Sequence, residues 1–97
     1  MVLSGHIHHF QQLNFTPQRQ PQLIVGNSGD NLHPLPTVPI IGFRFPGATV
    51  SDGLAFSRFG FTNVYLLEGV WYAVPRDADG NVELVCSLDP STLHCYQ

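Results

Sequence analysis

Apolar residues in this chain come in short runs broken by proline and glycine. They do not recur at the three- and four-residue spacing that builds one face of a helix. The pattern therefore predicts strands and loops with almost no helix. A short apolar strand is expected over residues 1–4, and "FQQLNF" (10–15) continues as a second until Pro17. Residues 18–21 are polar and bounded by proline, which marks a turn. "QLIVG" (22–26) has the compact apolar character of a buried strand, and Gly26-Asn27-Ser28-Gly29 ends it. From Leu32 to Gly53 the chain carries four prolines (34, 36, 39 and 46) and three glycines (42, 47 and 53), so a long connection is expected there. Connections of that length tend to be functional covers or mobile segments, and mobility is expected here.

The last third, "FSRFGFTNVYLLEG", "VWYAVPR" and "NVELVCSL", is rich in aromatic and β-branched residues and reads as three antiparallel strands. Asp79-Gly80 supplies tight-turn chemistry between the last two. A calcium reading of "DADGNVE" fails, because an EF-hand loop needs its glycine at the sixth position and Gly80 stands fourth. The expected fold class is mainly β for the isolated chain, organised as one segment, 1–97. Its parts are residues 1–31 with the histidine block and a core strand, a Pro/Gly-rich loop at 32–55, and antiparallel strands at 56–97.

Composition narrows the function classes. The 97 residues suffice for one domain with a core of its own, since even a 60-residue domain buries about 60% of its unfolded surface. Arg19, Arg44, Arg58 and Arg76 are scattered, lysine is absent, and the net charge is −3, so neither a nucleic-acid patch nor a polybasic membrane patch is written here. No run approaches the roughly 18 apolar residues of a spanning helix, and the first residues do not read as a secretory leader. The default expectation is a soluble, cytoplasmic protein, unless a leader precedes Met1. Cys86 and Cys95 are compatible with two free thiols or with one disulfide.

The densest chemistry lies in "LSGHIHHF" (3–10), which holds three of the five histidines. In an extended segment His6 and His8 share a face about 6.5 Å apart, while Ile7 and His9 face the other way. Two imidazoles on one face make half of a metal site, and Gly5 before them permits a close approach to a ligand. On spacing alone, satisfied surface or core histidines are an equal reading.

The wider context adds to this. Gly5-His6-Ile7-His8, preceded by an apolar strand and followed by "HHFQQLNF" and "PQLIVGNSGD", resembles the last metal-binding block of the calcineurin-like metallophosphoesterases, in particular bacterial metallophosphatase-type sequences. "FGFTNVYLLEG" and "WYAVPRDADGNVELVC" are similar to the closing strands of those proteins. The resemblance implies the C-terminal strands of a four-layer αββα sandwich and a metal-dependent phosphoesterase acting on phosphate esters. It also implies two divalent or trivalent ions (Mn, Fe or Zn) about 3.5 to 4 Å apart. Carried over residue by residue, His6 and His8 are metal ligands and Gly5 is active-site backbone. His9 lies outside the family's block and takes a role in supporting the ligands or in packing.

The family's earlier blocks, Asp-x-His, Gly-Asp and Asn-His, do not occur in the required order. Gly29-Asp30 follows the histidines, and Asp30 is therefore rejected as a bridging carboxylate. His33 and His94 read as solvated polar residues. The chain is thus expected to be the C-terminal part of a phosphoesterase, with no catalytic residue of its own, Met1 being an internal methionine or a misassigned start, and to be inactive alone. Phe43, Phe45, Phe59, Phe61 and Trp71 would meet a missing half, which implies exposed apolar surface and self-association. The alternative is a self-contained β-rich metal-binding or interaction module without catalysis.

Overall fold

The computed structural model describes residues 1–5, 9–17, 19–29, 31–32, 34–35, 40–88 and 91–96. Two sheets form. The first contains β1 (Val2–Ser4), β2 (Phe10–Thr16), β3 (Gln22–Val25), β4 (Arg44–Phe45) and β5 (Ala48–Phe56) in the order β1-β3-β2-β5-β4. The second contains β6 (Gly60–Leu67), β7 (Val70–Asp77), β8 (Val85–Leu88) and β9 (Leu93–Tyr96) in sequence order. Neighbours are antiparallel except β1 and β3, which run parallel. No helix occurs among the described residues, and the chain is mainly β as its pattern predicts.

Alternation along β2 sorts its side chains between two cores. Phe10 stacks on Phe56 with ring centroids 4.6 Å apart and joins Leu23, Ala73, Cys86 and Leu93 between the sheets. Leu13 and Phe15 point to the opposite face and pack with Ala48 and Val50, where Ile40 also packs. Each large side chain buried this way contributes about 1.5–3 kcal/mol.

The inward face of β2 also carries two buried amides, Gln12 and Asn14. Asn14 donates from Nδ2 to the Leu93 carbonyl at 2.8 Å and accepts from the Leu93 N–H at 2.9 Å, so it pairs with β9 as a strand backbone would. Gln12 donates to the same carbonyl at 3.1 Å. These contacts close one side of the sandwich. Cys86 and Cys95 face each other across β8 and β9 and are joined as a disulfide, which decides between the two alternatives the sequence left open.

Three sequence expectations need correction. The stretch 32–55, expected to be loop, contains β4 and most of β5, the nine-residue strand that pairs with β2. Asp52-Gly53 resembles a turn but is a bulged strand, in which Ser51 is the extra residue between Asn14↔Asp52 and Phe15↔Val50. Gly53 then lies flat on β2, where a Cβ would come 2.5 Å from the Gln12 carbonyl oxygen. Next, the strand expected from residue 56 starts at Gly60, because Phe56 ends β5 in the other sheet. Finally, Leu93–Tyr96 forms β9, a strand the sequence pattern does not predict.

The turns differ as well. Glu68 and Gly69 both have positive φ (50° and 80°) between paired Leu67 and Val70, so the two-residue primed turn sits there. Asp79-Gly80 belongs to a longer turn with only Gly80 left-handed (φ 88°). There Asp77 accepts from the N–H groups of Asp79 and Asn81 and from the Asn81 side chain. Hydrogen bonds from Asn81, backbone first and side chain second, hold the Asp77 carboxyl below its ordinary 3.8. Pro75, inside β7, has no N–H to give, and the β7–β8 ladder breaks between Ala73↔Cys86 and the Arg76↔Val82 bridge.

Candidate functional site

β1 ends at Ser4 and leads directly into the histidine block. His6 and His8 lie outside the described residues, as do Asp30 and His33. Gly5 is described, exposed, and has nothing within 4 Å of where a Cβ would be, so no close approach at that position calls for glycine.

His9 is 4% exposed at the entry to β2, and its carbonyl accepts from the Gly26 N–H at 3.2 Å. Its Nε2 meets Gln11 Oε1 at 3.0 Å, a pairing in which Nε2 donates and Nδ1 is left as an acceptor. That Nδ1 is buried without a hydrogen-bond partner among the described residues. A ring oriented by a side-chain carbonyl through one nitrogen is the arrangement that supports metal chemistry in general. It is equally the arrangement of a packed structural histidine. Asn27 is also buried; its side-chain Nδ2 donates to the Arg58 carbonyl at 2.8 Å, and its backbone carbonyl accepts from the Gly60 N–H at 2.9 Å. This ties the end of β3 to the start of β6.

Among the described residues, clefts open between the sheets. One, of about 540 Å³, is apolar and lined by Met1 and Leu3 from the β1 end and by Val64, Trp71 and Leu88 from the second sheet. Here the inward faces do not meet, and Leu3, Val64 and Trp71 stay exposed. Another, of about 350 Å³, is polar and lies beside the β2–β5 bulge. It gathers Thr16, Arg19, Ser51 and Asp52 from the first sheet and its flank, with His94 from β9. Arg19 donates to the Gly47 carbonyl at 3.0 Å from the rim. A carboxylate, a guanidinium, an imidazole and hydroxyls in one cleft can hydrogen-bond a small polar molecule.

Sequence reasoning set His94 aside and did not single out Asp52 or Arg19. They come together only through strand pairing, and no local signal marks them. Among the described residues no three His, Cys, Asp or Glu side chains are grouped to hold a metal ion, and no helix is long and apolar enough to cross a membrane. In comparisons with protein-family models, curated proteins and solved structures, nothing matches the chain.

Proposed function

We propose that the chain is the C-terminal part of a metal-dependent phosphoesterase of the calcineurin-like type, with His6 and His8 as ligands in a two-metal centre. The acidic ligands are then supplied by polypeptide outside these 97 residues. The observation that most supports this reading is the character of β1, the strand that leads into Gly5-His6-Ile7-His8. It is a three-residue edge strand, paired in parallel with β3, with Val2 and Leu3 exposed. Such a short parallel edge is weak by itself and accepts a further strand alongside. The apolar cleft next to it leaves inward-facing side chains uncovered where additional strands of a sandwich would pack.

In the completed centre, Mn, Fe or Zn ions would polarise the phosphoryl group of a phosphate ester and supply a nucleophilic hydroxide. His6 and His8 would hold the ions, Gly5 would give backbone access, and His9, bonded to Gln11, would hold the entry to β2. Imidazole nitrogen suits any of the three metals.

The test has two arms. Zn²⁺ titrated into the 97-residue chain binds weakly, the binding disappears in the His6→Ala/His8→Ala variant, and chelation leaves the melting temperature unchanged. A tight one-to-one ion whose removal melts the fold would favour the self-contained metal-binding module. In the second arm, a reading frame continuing upstream of Met1 encodes Asp-x-His, Gly-Asp and Asn-His, and its product hydrolyses p-nitrophenyl phosphate. His6→Ala then lowers kcat at least about 100-fold. Unchanged metal binding and unchanged turnover in the histidine variants would refute the assignment.

A further inference from the structure

β6 is an edge strand of the second sheet, and from Phe59 to Leu67 it carries no charge and no proline. Folded proteins ordinarily protect such an edge with charges, prolines or bulges. Its side chains are exposed on both faces, with Phe61, Val64, Tyr65, Leu66 and Leu67 each at least 39% accessible.

The two-residue turn fixes which backbone groups are used. Leu67 pairs with Val70 next to the turn, so Leu67, Tyr65, Asn63 and Phe61 direct their N–H and C=O groups to β7. Thr62, Val64 and Leu66 direct theirs outward. Gly60 also faces outward, but its N–H is taken by the Asn27 carbonyl, which blocks the edge at that end. Among the described residues the free stretch is therefore 62–66, and its centre is Val64.

We propose that β6 pairs antiparallel with β6 of a second copy of this chain, about a two-fold axis through Val64. This pairing uses the backbone edge of β6, not the β1 edge on which the metal reading rests. A strand related to itself by such an axis keeps both faces of the sheet in common, so directly opposed residues must lie on the same face. Centring on Val64 meets that condition and sets Thr62 against Leu66′, Asn63 against Tyr65′ and Phe61 against Leu67′. It uses all three free N–H groups and all three free carbonyls of each copy. The uncharged strand meets itself without like-charge repulsion. Glu68 of each copy comes to the rim opposite Gly60′, beyond the paired stretch, while Arg58 stays ion-paired with Glu83 of its own copy. Two four-stranded sheets become one of eight strands, and Val64′ lies beside the open apolar cleft that Val64 and Trp71 line.

Cys86 and Cys95 are the only cysteines and are bonded to each other, so a single introduced thiol reports on the interface. In sedimentation equilibrium the chain should show twice its 10.7 kDa mass, and Val64→Lys should return it to a monomer with an unchanged circular-dichroism spectrum. Under mild oxidation Val64→Cys should form a covalent dimer about tenfold faster than Asn63→Cys or Tyr65→Cys, because only position 64 faces its own copy. A wild-type chain that stays monomeric to its solubility limit would overturn the pairing. So would faster cross-linking at 63 or 65 than at 64.

Discussion

Asn14 shows how much one side chain decides in this fold. A buried asparagine on the inward face of a strand looks like a weak point, yet its amide supplies both a donor and an acceptor to Leu93 and stands in for a missing backbone partner. Replacing it removes the bonds and leaves the Leu93 N–H buried without a partner, which costs more than the bonds contribute. Asn14→Leu should therefore lower stability by about 2–4 kcal/mol in urea unfolding, although leucine is the more apolar residue. Alternation predicts that His9 turns away from His6 and His8, which lie outside the described residues. Its burial and its bond to Gln11 were not legible in the sequence, because both depend on what folds over β2.

Among the elements, the β6–β7 and β7–β8 pairs were the most readable, since alternation and turn residues act over a few positions. The β7–β8 turn depends on Asp77, whose carboxylate gathers three donors. Because its folded pKa lies below the unfolded one, the stabilisation is present above the unfolded value and fades as pH falls through the folded value. The stability difference between the wild type and Asp77→Asn should thus shrink as pH is lowered from about 5 to about 2, measured by thermal melts across that range. β5 shows the opposite case. Its bulge and Gly53 look like loop chemistry along the sequence, and only the close approach of β2 explains them.

At the scale of the whole molecule the two sides of the sandwich differ. On the β9 side, Gln12 and Asn14 clamp the sheets together and the disulfide holds β9 to β8. On the β1 and β6 side, two edge strands flank an apolar cleft. The Cys86–Cys95 link closes a loop with a sequence separation of 9, worth about 2.5 kcal/mol of unfolded-chain entropy. Cys86→Ala/Cys95→Ala should lower the stability by about that amount in urea unfolding. Since β9 carries the clamp, the same variant should expose the inter-sheet core and bind a hydrophobic dye before global unfolding.

The sequence by itself determined that the chain is mainly β, that strands run close to 1–4, 10–15 and 22–26, and that Gly5-His6-Ile7-His8 follows the first of them. Those features rest on side-chain alternation and turn residues within a few positions of each other, where backbone sterics act locally. Tertiary structure decided which strands share a sheet, where the bulge falls, which amides reach across the core, and which edges stay open. These depend on groups far apart in the chain, such as Asn14 and Leu93, whose hydrogen-bonding capacity has no local partner and is satisfied only when the sheets meet.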